Sequence, residues 1–343
     1  MEKKKYRKTK IFIKILSVLI IILGILSGTA YWYINDKLGK MQKTEINEED
    51  LGISEETDNK LSKYRNIAIF GVDSRSDDYG IGNRSDCIII ASINNSTGEI
   101  KLISVYRDTY VNIEGHGLDK ITHAYSYGEA PLAIKTLNEN LDLNIKEFVT
   151  VNFDAVSEAV DQLGGVKISI DSEEVKYINQ YIDETARVTN KTAKHITEAG
   201  TYNLDGVQAV AYSRIRYTAG GDYKRTERMR TVIEAMFTKL KTKSIGEINT
   251  FADKILPYVY TNLSTGDLIS LVPNIAKYKI TDSIGWPYNI KGITMYRWYG
   301  VPVTLESNVI QLHKEAFEDE NYICSEKVKN ISNSIINKTG YSK

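Results

Sequence analysis

The chain has 343 residues, 42% of them hydrophobic, and its 44 lysines and arginines are balanced by 44 aspartates and glutamates. A sizeable core is within reach of such a chain, and a bulk charge of zero speaks against a nucleic-acid coat or a basic membrane glue. The balance hides a division: residues 1–34 carry seven basic side chains and one acid, net +6, leaving 37 basic and 43 acidic groups, net −6, on the remainder.

Residues 15–34, ILSVLIIILGILSGTAYWYI, are twenty residues without a charge. About 20 apolar residues suffice for a helix to cross a bilayer core. The basic residues 1–14 place the N-terminus in the cytoplasm, and Tyr31, Trp32 and Tyr33 suit the outer interface. We read 15–34 as a retained transmembrane helix, since the stretch is longer than the core of a cleaved signal peptide. Residues 35–62 hold seven acids between Glu45 and Asp58 and little hydrophobic periodicity, the pattern of an acidic stalk. Residues 63–343 then form a domain outside the membrane. Two cysteines, Cys87 and Cys324, make no disulfide framework, and four scattered histidines lack zinc-ligand spacing.

Short apolar runs at 66–71, 87–93 and 100–105 predict buried strands, the last two joined by the turn at 94–98 as a hairpin. Helical periodicity follows over 130–141, then a strand (148–151), a helix (154–163) and a strand (166–170). Residues 204–212 and 226–240 read as helices. Past Lys243 the pattern weakens, with helices expected near 245–258, 265–277 and 308–317 and a strand near 293–296. Strands alternating with helices predict an α/β domain of layered helices on a central sheet, mixed because of the hairpin. We take 244–343 as the C-terminal part of the same domain.

Arginine carries the chemical signal. The chain uses 32 lysines but only 12 arginines, yet Arg214, Arg216, Arg225, Arg228 and Arg230 fall within seventeen residues, and Arg75, Arg84 and Arg107 stand at or beside strand ends. Guanidinium offers a planar fork that holds phosphate bidentately and stays charged when partly buried, so the choice points to a pyrophosphate. Arg228 and Arg230 fit surface salt bridges equally well. The Ala219-Gly-Gly-Asp222 turn before a helix N-terminus adds an anion-friendly setting. Asp73 and Asp86 either pair with these arginines or hold a Mg²⁺ that bridges phosphate oxygens.

The ordered motifs Gly71-Val-Asp-Ser-Arg75, Arg84-Ser-Asp86, Ser104-Val-Tyr-Arg-Asp108, Lys120-Ile-Thr-His-Ala124, Val160-Asp-Gln-Leu-Gly-Gly-Val166, Leu204-Asp-Gly206, Ala211-Tyr-Ser-Arg-Ile-Arg216 and Gly221-Asp-Tyr-Lys-Arg225 resemble the LytR–CpsA–Psr family over a motif core of 67–233. The resemblance implies a three-layer α/β/α sandwich with a long apolar pocket for a polyprenyl tail. It implies a phosphotransferase on the outer face of a Gram-positive membrane. Such enzymes move a teichoic acid or capsule glycopolymer from an undecaprenyl-pyrophosphate carrier to the muramic acid C6 hydroxyl of peptidoglycan. Carried over by motif, Asp73 and Asp86 would hold Mg²⁺, and Arg84, Arg107, Arg214, Arg216 and Arg225 would grip the pyrophosphate. Arg75, Asp108, Lys120 and Asp222 would support or orient them. Asp73, Asp108 and Asp222 are candidates for the general base.

Three positions depart from the family pattern: Tyr106 replaces a proline, Met229 a glutamine and Cys87 a threonine. The first two leave room for an alternative in which the protein holds the lipid-linked polymer with little transfer; a surface protein is a second possible acceptor. The −6 domain outside the membrane argues against a DNA-binding regulator. Apolar helices over 156–163 and 207–211 read first as ordinary core, so the tail pocket is not assigned to residues.

Overall fold

The computed structural model describes residues 41–74, 79–264, 267 and 275–342. The basic tail, the helix expected over 15–34, Arg75 and most of the helix expected over 265–277 lie outside these residues. Among the described residues no helix is long and apolar enough to cross a membrane.

The chain begins with β1 (Gln42–Lys43), a 3-10 turn at Glu48–Leu51 and α1 (Glu55–Lys60). Then come β2 (Tyr64–Val72), β3 (Ser85–Asn94), β4 (Glu99–Val105) and the small hairpin β5 (Tyr110–Ile113) and β6 (Gly117–Lys120). The middle of the chain holds α2 (Ile121–Leu141), β7 (Glu147–Val151), α3 (Phe153–Gln162), β8 (Val166–Ile170), α4 (Ser172–Thr189) and β9 (Gly200–Leu204). It continues with α5 (Gly206–Arg214), α6 (Gly221–Leu240), α7 (Ile245–Ile255) and β10 (Tyr260–Thr261). The last elements are β11 (Lys279–Trp286), β12 (Ile290–Thr294), β13 (Trp298–Pro302), α8 (Leu305–Phe317) and α9 (Glu326–Thr339).

Seven strands form one sheet in the order β1-β10-β7-β2-β3-β4-β11. It is mixed: β2 pairs antiparallel with β3 and parallel with β7, and β4 pairs antiparallel with β3 and parallel with β11. Strands covered on both faces read as continuous apolar runs, which is why β2, β3 and β4 were visible in the sequence. Phe70, Ile88, Ile90 and Ile103 point to one core with α2, α8 and α9. Ile67, Ile89, Ile93 and Leu102 point to the other, against Met229, Ile233 and Phe237 of α6. A third cluster joins α4, α5, β8 and β9.

Several elements were not read from the sequence. Residues 41–62, taken there as part of a stalk, pack on the domain: Leu51 and Leu61 are buried in the main core, and the Asn138 amide donates to the Leu51 carbonyl. Acid-rich composition described the outward side of this segment and missed its few inward leucines. α4 begins in a capping box, Asp171 with Glu174, and packs on α5. β11 joins the sheet edge beside β4, so residues 279–286 belong to the same sheet as the motif core.

Candidate active site: an arginine cluster at the mouth of an apolar cavity

Several chain segments converge at one end of the sheet. β2 ends at Val72 and passes to Asp73, with the start of β3 alongside. Pairing steps from Gly71↔Cys87 to Val72↔Ser85, so Asp86 is the extra residue of a bulge, a device that re-aims a side chain. Gly71 permits the close approach, because a Cβ there would lie 2.8 Å from the Cys87 Cβ. After β4, the Tyr106 amide donates to the Trp286 carbonyl at 2.9 Å, a bond that proline could not make. This anchors the backbone just before Arg107. α5 delivers Arg214 in its last turn, and Arg216 follows. Gly206 lets α5 lie on α3, since a Cβ would stand 2.0 Å from the Ser157 carbonyl oxygen. The Gly220-Gly221 turn, with φ of 89° and 51°, opens α6 and brings in Asp222 and Arg225.

The side chains form one charged network. Asp86 Oδ1 accepts from Arg107 Nη1 at 2.7 Å, and its Oδ2 lies 3.7 Å from Arg216 Nη2 and 3.9 Å from Arg225 Nη1. Asp222 meets Arg225 at 2.9 Å, Arg107 at 3.5 Å and Arg216 at 3.7 Å. Lys120 binds Asp108 at 2.6 Å, and Asp108 lies 3.7 Å from Arg107. Burial disfavours charge on Arg225, and despite Asp222 the neighbouring Arg107 and Arg216 help pull its pKa down to about 10. The Nε atoms of Arg107 and Arg225 are buried without a hydrogen-bond partner. Crowded cations with unspent donors favour an arriving anion, which relieves their repulsion and accepts their hydrogen bonds.

Asp86 responds in the opposite sense. Burial alone would raise its pKa, but Arg107, Arg225 and Arg216 outweigh it and hold the carboxyl below the usual range. A depressed folded-state value means that the stabilisation is full above the unfolded pKa of about 4 and is lost as pH falls through the folded value. Urea midpoints of wild type and Asp86→Asn should therefore differ at pH 6 and draw together below about pH 4; a gap independent of pH would refute the ion-pair account.

Behind the charged mouth lies a cavity of about 520 Å³. Asp73, Asp86, Arg214, Arg216 and Arg225 line its polar end, while Ile69, Val149, Val156, Val210, Val232 and Ile255 line the apolar part. The helices read as core divide: Val156, Ala159 and Val210 face the cavity, whereas Val160, Val207 and Ala211 belong to the cluster around β8 and β9. Met229 and Cys87 also face it. Burial pushes the Cys87 thiol up to about 12, so it stays protonated and serves as apolar lining.

The sequence-predicted residues are distributed as follows. Asp86, Arg107, Asp108, Lys120, Arg216, Asp222 and Arg225 share the network. Asp73 is exposed at the cavity's polar end. Arg214 also faces the cavity, held by Thr185 Oγ1 at 2.9 Å and Glu184 at 3.3 Å, with its guanidinium over Phe153. Arg84 is exposed and lines a second recess of about 330 Å³ with Arg107, Asp108, Lys120, Thr122, His123 and Arg297. Arg228 is buried and structural, bound to Glu174, the Ile215 carbonyl and Thr218, and so it braces the loop carrying Arg214 and Arg216. Arg230 donates to the Ile284 carbonyl. Sequence reasoning missed Tyr181, Glu184, Phe251 and Ile255 of the cavity wall. The capping box Asp171–Glu174 and the helical spacing of Val175, Ile178 and Ile182 marked the helix that supplies the first two.

The LytR_cpsA_psr family model matches residues 28–302. A curated relative, the polyisoprenyl-teichoic acid–peptidoglycan teichoic acid transferase TagT of Bacillus subtilis (strain 168), is 32% identical over 307 residues, covering 86% of this chain and 92% of its own. A solved structure described as TagT bound to LIIa-WTA is similar with a TM-score of 0.56 at 27% identity, covering 82% of this chain and 92% of that one. A structure of the same protein with bound octaprenyl pyrophosphate lipid matches with a TM-score of 0.52 at 26% identity, over the same shares of the two chains. Family model, curated relative and architecture agree, and the chain belongs to the LytR–CpsA–Psr family.

Proposed function

We propose that this chain transfers a glycopolymer with one phosphate from an undecaprenyl-pyrophosphate carrier to peptidoglycan, at the muramic acid C6 hydroxyl. The observation that carries the reading is one continuous cavity, mostly apolar and lined at its polar end by Arg214, Arg216, Arg225 and Asp86. A polyprenyl pyrophosphate has the same polarity order. The names of the relative with a teichoic acid activity and of the structure with a bound prenyl pyrophosphate support it.

In this reading the acceptor oxygen forms a bond to the phosphorus that bears the sugar. The bond from that phosphorus to the bridging oxygen breaks, and polyprenyl phosphate leaves with the electron pair. The hydroxyl proton passes to a carboxylate of the site. Arg107, Arg216 and Arg225, with Arg214 and Arg84, hold the phosphate oxygens while charge moves onto the leaving group. Asp108, Lys120 and Asp222 keep these forks aimed.

Asp73 and Asp86 fit a magnesium ion. Both line the polar end, and the cationic neighbours of Asp86 Oδ2 stand back at 3.7 and 3.9 Å. Among the described residues no group of three or more His, Cys, Asp or Glu gathers to hold a metal. Phosphate oxygens and water would complete the coordination, as magnesium favours. When bound, the ion supplies further neutralisation of phosphate charge. The domain would be an α/β/α sandwich anchored by one transmembrane helix at 15–34, N-terminus in the cytoplasm, so that it works outside where lipid-linked polymer meets wall.

The test is transfer by the purified protein from a polyprenyl-pyrophosphate-linked glycan to a peptidoglycan fragment with Mg²⁺. Product is expected with wild type and none with Arg214→Ala or Asp86→Ala. Equal transfer by both variants would overturn the reading, and bound lipid without product on prolonged incubation would replace it with a holding role.

A further inference from the structure

A recess on the other side of Arg107 lies apart from the apolar cavity. The lipid-side cavity is lined by Asp86 but not by Arg107, and the recess by Arg107 but not by Asp86. Their ion pair at 2.7 Å therefore forms the wall between the two spaces. In a phosphoryl transfer the attacking and leaving oxygens lie roughly in line. A nucleophile facing a lipid phosphate that departs into the cavity must come from the side of the recess.

The recess is built to receive an anion. Arg84, Arg107, Lys120 and Arg297 line it, against one carboxylate, Asp108. Lys120 is taken up by Asp108 and Arg107 by Asp86. Among the described residues neither Arg84 nor Arg297 lies within ion-pair distance of a carboxylate. Arg297 is nonetheless held in place. Asp119 Oδ1 accepts from the Lys120 amide at 2.8 Å, and Oδ2 accepts from Tyr127 Oη at 2.9 Å. The same Oδ2 lies 2.8 Å from His123 Nδ1. With Nδ1 protonated toward Asp119, His123 Nε2 presents its lone pair to Arg297 Nη1 at 3.4 Å. Among the described residues one of its five guanidinium donors is engaged.

Exposed aromatic rings border this chain of contacts. Tyr127 lies 5.9 Å from the His123 ring and stacks on His116 at 4.1 Å, and the Arg297 guanidinium lies 5.9 Å from the Tyr296 ring. Tyr296 is 74% exposed and Tyr127 39%. Unpaired forks beside exposed rings suit a sugar, whose C–H faces pack on aromatics, that also carries a carboxylate.

We propose that the recess is the docking site of the acceptor, a carboxylate-bearing glycan gripped by Arg297, and that Asp119 and His123 are positioning residues for Arg297. The proposal rests on the transfer activity above and adds where the second substrate sits. The experiment measures three quantities for wild type, Arg297→Ala and His123→Ala: KM for a peptidoglycan fragment, kcat, and Kd for polyprenyl pyrophosphate alone. Arg297→Ala should raise acceptor KM at least tenfold and leave the lipid Kd within twofold; His123→Ala should raise KM less. Amidating the acceptor's carboxylates should raise KM for wild type and leave little further effect of Arg297→Ala.

Unchanged KM, or a parallel weakening of lipid binding, would overturn the proposal. So would an Arg297→Ala defect that persists in full with the amidated acceptor, since the recess would then serve the phosphates of the delivered polymer. If wild type shows no transfer at all, the failure lies with the proposed activity. In that case acceptor binding measured directly, tighter in wild type than in Arg297→Ala or equal in both, still decides on the recess.

Discussion

Replacing Arg107 by alanine should lower kcat by about 10²–10³-fold, the usual loss when one preorganised donor to a developing charge is removed. Arg107 meets all three carboxylates of the network: it binds Asp86 at 2.7 Å, lies 3.5 Å from Asp222 and 3.7 Å from Asp108, and separates the cavity from the recess. Arg107→Lys should recover little, because an ammonium supplies a point charge in place of a fork. Stability should fall as well, by about 1–3 kcal/mol, since a partly buried carboxylate loses its nearest cation. The double variant Arg107→Ala/Asp86→Asn separates the two effects. It should regain much of the lost stability in urea unfolding, because no charge is stranded, and regain no activity. A double variant with restored turnover would remove Arg107 from the chemistry.

The second large effect concerns the apolar cavity. Ala159 sits on α3 and faces it, so Ala159→Phe places a ring where the tail is proposed to lie. Each buried CH₂ contributes about 0.8 kcal/mol, and a ring that displaces only two of them should weaken binding of a long polyprenyl pyrophosphate more than tenfold. A short-chain prenyl pyrophosphate, which does not reach the blocked part, should bind as it does to wild type. The measurement is a pair of Kd values for the two chain lengths, with thermal unfolding to confirm that the variant is folded. Equal affinities for the long chain in wild type and variant would place the tail elsewhere.

The comparison of arginines shows where sequence reading reached its limit. Arg214, Arg216, Arg225, Arg228 and Arg230 are indistinguishable by type and spacing, yet Arg228 is spent on Glu174 and two partners in the Ile215–Thr218 loop and Arg230 on the backbone of β11. The helix α6 turns the first of its three arginines toward Asp222 and the other two elsewhere, and only packing against α4 and β11 decides which is which. Arg297 and His123 carry no signal as a pair, being 174 residues apart. Tyr106, where the resemblance implies a proline, donates its amide to the Trp286 carbonyl, a bond proline could not make. Met229 faces the cavity, which accounts for an apolar residue there.

Sequence by itself determined the α/β class, three strands of the main sheet and the charge asymmetry, and it singled out arginines that the fold gathers into one cluster. These are local properties: a strand covered on both faces must be continuously apolar, and a preference for arginine over lysine is a choice made residue by residue. The tertiary structure decided that 41–62 pack on the domain and that 279–286 form an edge strand of its main sheet. It also decided which arginines line the cavity, and that Arg107 stands between an apolar cavity and a cationic recess. Such facts depend on contacts between residues far apart in the chain, whose side chains carry no mark of one another until the sheet and its helices bring them together.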